Sequence, residues 1–461
     1  MKADLTRSTF DPLNNFSRVL MQQGRVQLDA DWNEQTDILL YTLRRFIADA
    51  FPSGHGTGFA LAALATTPAV ADDFSIAGGS YYAGGILIEL DTSPVPVLRW
   101  EDETHVVVAR WTADGVAFAP DQYVQFVNLR AVQPQIPTRK IVAVDYSKML
   151  LTLDAPIRYF QNAAVRRLVT YKSQPFLPDA PALAPTHKNG NSSSYQLYLD
   201  VWERVVTYLQ DDAIREVALN GPDTAVRTQV VWQVKATPYI PPGTGTSSGG
   251  SSEGYTATQD QGTPYYTESR YCMTPEALTE LFQPANVGLM RARSQPAQIS
   301  TDPCTIAPDS TYRGENQLYR VEIHTGGFPG AGGAEPSFKW SRENGSVVYP
   351  IVSLAAGGGT PATTTVTLGN LGRDDRFGLV KDDYVEIVDD RSELTNTAGP
   401  LLRVQSIDAG SQLVTLQGST TMTLDAARHP LLRRWDHRAG DPAADSEKIA
   451  TDGALPIQPD R

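Results

Sequence analysis

The chain has 461 residues, 41% hydrophobic and 20% charged, with 39 Lys and Arg against 52 Asp and Glu for a formal charge of −13. That length exceeds what one hydrophobic core serves, so several domains are expected. The acidic balance argues against binding nucleic acid, which needs clustered cations, and no apolar run is long enough to be a membrane-spanning helix.

The first residues, MKADLTRSTFDPLNN, have no apolar core of a secretion signal. Cys272 and Cys304 are the only cysteines, so a disulfide scaffold is not expected and synthesis in a reducing cytoplasm is.

From Phe16 to Leu28 the pattern alternates like a short hairpin. Val19 and Met21 form one arm, Gln22-Gln23-Gly24 the turn, and Val26 and Leu28 the other arm. The period then changes. Asp29 or Asp31 caps a predicted helix on which Leu39, Leu43, Phe46, Ile47 and Ala50 fall at three- and four-residue steps. A helix apolar on one side needs a partner surface, so this element is predicted to dock, with Trp32 beside its start.

Downstream, most segments read as β-strand. Phe74–Leu90 is predicted as two strands around Gly-rich turns, followed by strands at His105–Arg110, Gly115–Phe118, Tyr123–Asn128 and Ile141–Leu153. Tyr195–Leu209 alternates with period two, Ala213–Leu219 is predicted as a short helix, and Thr228–Val234 as a strand. Pro241–Thr263 is low-complexity Gly/Ser/Thr and reads as a linker. Thr274–Phe282 carries a Thr cap with Pro at the first helical position, and three strands follow between Leu318 and Val352.

One echo stands out. DQYVQFVN at Asp121–Asn128 matches DDYVEIVD at Asp382–Asp389, and each precedes a hairpin, VDYSKMLLTL at Val144–Leu153 and IDAGSQLVTL at Ile407–Leu416. Two small barrels of common plan would account for it, as would two unrelated hairpins.

The predicted fold class is mainly β: a modular, multi-domain β-sandwich or small-barrel protein with an N-terminal hairpin and amphipathic helix. The expected divisions are 1–52 for hairpin and helix, 53–160 for a β domain with the first barrel-like unit, 161–240 for a β domain, 241–266 for the linker, 267–425 for a β domain with the second barrel-like unit, and 426–461 for an Arg/Trp segment and tail.

Chemistry-bearing motifs are sparse. The six histidines show no HExxH or Cys/His spacing for zinc, and His437 beside Asp436 is only a sequence neighbour. The carboxylates at Asp374, Asp375, Asp382, Asp383, Glu386, Asp389 and Asp390 do not follow an EF-hand spacing, although oxygen ligands suit Ca²⁺. Glu203 beside Trp202, and Glu343 near Trp340, suggest glycoside hydrolysis on a Trp platform as the enzymatic alternative, in a carbohydrate-active secreted β protein. No catalytic residue, cofactor or metal site is predicted.

Three segments combine Arg, carboxylate and Trp: Trp202-Glu203-Arg204; Trp340 with Arg342 and Glu343; and Arg433-Arg434-Trp435-Asp436. Guanidinium pairs with carboxylate and stacks on indole, so these trios suit either subunit or domain surfaces or ordinary salt bridges. With Val26, Leu28, Trp32 and the helix stripe they make up the predicted interface.

FSRVLMQQGRVQLDADWNEQ resembles the opening of a bacterial family of uncharacterised proteins associated with phage tail-like contractile injection systems. Tyr198–Lys235, Glu315–Gly327, Phe338–Ile351 and HPLLRRWDH at His429–His437 resemble that family as well. The resemblance implies a non-enzymatic structural component at the baseplate, spike or fibre end. Its partners would be other subunits of the particle, in a symmetric homo-oligomer assembled in the cytoplasm and then released or docked on a membrane. The resemblance carries no catalytic motif.

Overall fold

The computed structural model describes residues 2–52, 54–66, 70, 72–113, 116–130, 138–183, 195–221, 223–238, 318–326, 337–359, 361–372 and 377–438. The predicted linker, the Thr274–Phe282 helix, Cys272, Cys304, Asp374, Asp375 and the tail after Arg438 lie outside these residues. The chain divides into two compact units, Met1–Leu39 with Arg204–Gln229 and Ala285–Arg461, and Leu40–Glu203 with Val230–Pro284.

The architecture is mainly β, as predicted. One helix, α1 (Asp29–Ala50), precedes the strands. Asp29 is its first residue and accepts from the Ala30 amide, while Asp31 lies inside the first turn. The chain does turn at Gln22–Arg25, with Gly24 at φ +71°. The expected hairpin arms, however, form no ladder: residues 16–28 carry no strand.

In the second unit, β1 (His55–Gly56), β4 (Gly79–Ala83) and β5 (Ile86–Leu90) form a three-stranded sheet, and β2 (Leu61–Ala63) pairs with β3 (Phe74–Ile76). Phe74–Leu90 thus holds three strands rather than two. β6 (Val95–Trp100) and β7 (His105–Val108) precede the small pair β8 (Thr112–Ala113) and β9 (Val116–Ala117). β10 (Tyr123–Asn128), β11 (Thr138–Asp145), β12 (Leu150–Leu153) and β13 (Ala163–Thr170) follow. The ring β6-β7-β12-β11-β10-β13 closes through β13–β6 and β10–β13 pairing, and β13 continues onto β3. Its interior is filled by Val95, Val106, Val108, Phe118, Val124, Phe126, Ile141, Leu151 and Val165, all fully buried.

A long ribbon joins β14 (Tyr195–Val206) to β15 (Arg227–Pro238). Between them, the predicted Ala213–Leu219 helix is two 3₁₀ turns, Asp212–Ile214 and Val217–Leu219, each capped by an acidic side chain. In the first unit, β16 (Arg320–Thr325) pairs with β17 (Ser337–Ser341). β18 (Val348–Gly357), β19 (Thr363–Leu368), β20 (Asp383–Val388), α2 (Asp390–Leu394), β21 (Leu401–Asp408), β22 (Leu413–Gln417) and β23 (Leu431–Arg438) complete the chain. Their six strands close into the ring β18-β19-β22-β21-β20-β23.

The two barrels have one topology. Numbering each set of strands one to six in chain order, both rings run 1-2-5-4-3-6. The match extends to irregularities. A bulge skips Leu98 in β6 and Val352 in β18, and another skips Val142 in β11 and Gln405 in β21. Asp145 and Asp408 each fold a hairpin turn by accepting from the backbone two residues on, and Met149 and Gln412 then stand at φ +55°. Each closing strand, β13 and β23, lies beyond the division expected at residues 160 and 425, so both boundaries move outward to complete the barrels.

Candidate functional site

The first candidate is the Phe16–Phe51 element. The arm before α1 is tied to the helix by Thr9 Oγ1 to Glu34 Oε2 (2.5 Å) and by the Val19 amide to Gln35 Oε1 (2.9 Å). α1 has 22 residues, about 33 Å of helix. Only Ala30 and Ile38 on it are buried. The predicted stripe faces outward: Trp32 is 73% exposed, Leu39 60%, Leu43 55% and Phe46 69%. Val26 and Leu28 are exposed, and Ile47 is half-buried. Exposed apolar side chains in such a run are uncommon on a chain that works alone.

Within the second unit, α1 is held by its other face. Arg44 grips Glu203 with both terminal nitrogens, at 2.6 and 3.0 Å. Glu203, proposed above as a glycosidase acid, is therefore occupied by a guanidinium fork. Neighbouring Trp202 lies under the Lys235 ammonium, 5.3 Å from its ring centre, and Lys235 in turn pairs with Asp200 at 2.6 Å.

The second candidate is a buried ionic cluster in the first unit. Glu386, 2% exposed, accepts from Lys339 Nζ (2.6 Å), Trp435 Nε1 (2.9 Å) and the Gly399 amide (2.9 Å). Lys339 lies over the Trp435 ring, 4.5 Å from its centre. Opposite Glu386 in the ladder, Arg433 donates to Glu393 (3.0 Å) and to the Gly345 carbonyl. Arg434 donates to the Gly378 carbonyl (2.9 Å), and Asp436 accepts from the Arg342 amide (2.6 Å). Lys2 enters from the N-terminus to meet Glu322 at 3.3 Å, and Asn344 donates to the Ala3 carbonyl.

Burial lowers the Lys2 ammonium, with the Arg433 charge adding to it, and burial likewise lowers Arg433. For Glu322 burial pulls upward, but Lys2 and Arg320 outweigh it and the carboxyl is lowered. Charges taken out of water in this way must be matched; here each charged group has an opposite charge or a carbonyl beside it, while the Arg433 Nε and Asp436 Oδ1 atoms make no hydrogen bond among the described residues.

The cluster revises the interface expectation. Trp340, Arg342, Arg433, Arg434 and Trp435 are between 0% and 7% exposed, so they hold the first unit together from within and offer no surface to a partner. Arg204 is spent on Asp390 (3.1 Å) and Gln229 (2.8 Å). The remaining acids of the Asp382–Asp390 run are dispersed onto separate partners: Asp382 on Arg403, Asp383 on the Val380 amide, Asp389 as cap of α2, and Asp390 on Arg204 and His429. Among the described residues no three His, Cys, Asp or Glu side chains converge as a metal would require. Glu343 sits after β17 in a bridge with Leu318, three residues along the chain from the buried Trp340. The His437 side chain lies outside the described residues.

Sequence reasoning missed Lys339 and Glu386 as partners, and it missed that Arg433 and Arg434 have counterparts. Gln125 faces Arg166 and Val124 faces Arg167 in the first barrel, as Glu386 faces Arg433 and Val385 faces Arg434 in the second. The signal was present: VRRL at Val165–Leu168 echoes LRRW at Leu432–Trp435.

A family model, described as a family of unknown function (DUF6519), matches residues 1–96, 169–238 and 248–455. The chain belongs to that family. The DUF6519 match spans α1, the ribbon and the whole second barrel. It leaves out residues 97–168, nearly all of the first barrel, and breaks inside the paired strands β6 and β13. No curated protein matches the chain, and no solved structure does.

Proposed function

We propose that this chain is a non-enzymatic structural subunit of a phage tail-like contractile particle, at its baseplate, spike or fibre end, working by contact with other subunits. The observation that carries the reading is the exposed apolar face of the arm and α1: Trp32, Leu39, Leu43 and Phe46 stand in water on the single chain. Such a face serves association rather than turnover. The particle itself is suggested by the sequence resemblance of FSRVLMQQGRVQLDADWNEQ and HPLLRRWDH. The dispersal of the acidic side chains onto Arg, Lys and backbone partners supports a framework role over hydrolysis.

The test is the composition of purified sheathed particles from the cell that encodes the chain. The chain is expected in them by mass spectrometry, and deleting its gene should leave particles lacking density at one end. Fully assembled particles after deletion would sink the proposal. So would polysaccharide hydrolysis by the purified protein that Glu343→Gln abolishes.

A further inference from the structure

The two barrels match strand for strand, so each serves as a reference for the other. In the second, Arg433 on the closing strand faces Glu386 and donates to Glu393, which α2 supplies from the connection between the third and fourth strands. In the first, Arg166 holds the place of Arg433, and Gln125 holds the place of Glu386. The corresponding connection, residues 129–137, reads LRAVQPQIP and contains no acid. Arg166 thus carries the charge without either carboxylate. Its Nε is shut away from water with no hydrogen-bond partner, and among the described residues no carboxylate pairs with its guanidinium.

Arg166 has polar company on its own face. Gln125 faces it across one ladder and faces Thr138 across the other, so guanidinium, amide and hydroxyl form one row over β13, β10 and β11. Facing residues of antiparallel strands lie on the same side of the sheet, about 5 Å apart. Val124, next to Gln125 in the chain, fills the barrel interior, so the row lies on the outside. Arg166 and Gln125 are half-buried, and Thr138 is buried. Among the described residues none of the three side chains makes a hydrogen bond. A guanidinium partly withdrawn from water, with two further donors in line and no acid, is a set of groups that can all donate to one anion.

We propose that this row binds a carboxylate, supplied by an Asp or Glu side chain of another protein. Two guanidinium N–H groups match the two carboxylate oxygens, and the Gln125 amide and Thr138 hydroxyl donate to the lone pairs left over. The source is argued from the second barrel, where the equivalent arginine takes a glutamate side chain. Overall charge agrees. Residues 95–170 hold nine Lys and Arg against seven Asp and Glu, whereas residues 348–438 hold nine against eleven. The first barrel is thus net positive within a chain of −13, which favours the approach of an acidic surface. The inference deepens the reading of this chain as one that works by contact, and it does not depend on which particle is built.

Titration of the full, isotope-labelled chain with the peptide acetyl-Ala-Glu-Ala-amide decides it, followed by two-dimensional NMR against sodium chloride of equal ionic strength. Saturable shifts are expected at Arg166 and Gln125, with half-saturation on the order of 1–10 mM. Arg166→Met should weaken binding at least about tenfold. Gln125→Glu supplies the acid from within, so it should abolish the shifts while raising the urea midpoint above that of the wild-type chain. Disodium succinate is the arm for a free acid, and binding about tenfold tighter than the peptide would overturn the assignment to a protein side chain. A wild-type chain without saturable shifts overturns the site, as do shifts that survive Arg166→Met. A lower urea midpoint for Gln125→Glu overturns it too, since the arginine would then have no use for an acid. These outcomes are independent of whether the chain is found in sheathed particles, so the two readings fail separately.

Discussion

Asp121 and Asp382 hold equivalent places in the two barrels: each stands at positive φ, 70° and 74°, just before the third strand, and each pairs with the basic residue that faces the next tyrosine. Asp121 meets Lys140 at 2.6 Å, Asp382 meets Arg403 at 2.5 Å, and the ladders set Tyr123 opposite Lys140 and Tyr384 opposite Arg403. Few residues other than Gly, Asn and Asp accept this backbone without strain. Asp382→Ala is therefore expected to destabilise the chain by about 1 kcal/mol and Asp382→Gly by clearly less. Urea unfolding of the two variants decides it, since equal losses would place the effect in the ion pair and not in the backbone.

Removing Glu386 should be the most damaging single change in the ionic cluster. Lys339 and Trp435 lose their acceptor, and Arg433 loses the carboxylate opposite it, all out of water. Glu386→Ala is expected to cost about 3–5 kcal/mol. A double-mutant cycle with Lys339→Met should return a coupling of about 1–3 kcal/mol, because the ammonium no longer needs the acid. Strict additivity would show that the two do not act as a pair.

The β4–β5 hairpin turns on Gly84 and Gly85, both at positive φ, as a two-residue turn requires. Their surroundings differ. A side chain at Gly85 would meet the Arg44 carbonyl at 2.1 Å, whereas nothing lies within 4 Å of one at Gly84. Gly84→Ala is expected to cost about 1 kcal/mol, from φ alone. Gly85→Ala should cost at least about 2 kcal/mol more, since turn or helix must shift. Equal urea midpoints would mean that α1 does not press on the turn.

Acid should weaken the first unit through His324. Burial, then the Lys339 charge, lowers its pKa below the ordinary 6.5, and its Nδ1 finds no hydrogen-bond partner among the described residues. Below pH 6.5 the unfolded chain takes up a proton that the folded imidazole resists, so the unfolded state gains and stability falls until the folded pKa is passed. His324→Gln should flatten the fall in melting temperature between about pH 7 and about pH 5.5. An unchanged slope would assign the acid sensitivity elsewhere.

The sequence by itself determined what short-range chemistry controls. Period-two alternation gave the strands, Asp145 and Asp408 announced the hairpin turns, and the DQYVQFVN and DDYVEIVD echo marked the third strand of each barrel before any ladder was visible. The apolar line along α1 was equally legible, since a helix fixes its own faces. What only tertiary structure decided is long-range. Barrel closure pairs Val95 with Val165 and Tyr349 with Leu432, and nothing in local periodicity names those partners. Arg433 and Arg434 read as surface residues until Glu393 and the Gly345 and Gly378 carbonyls, distant in the chain, supply the acceptors that let them be buried. A strand segment states which faces it has, but which face meets water depends on the strands that fold across it. The same dependence left the α1 stripe exposed, while within the second unit Arg44 meets Glu203 and the β4–β5 turn.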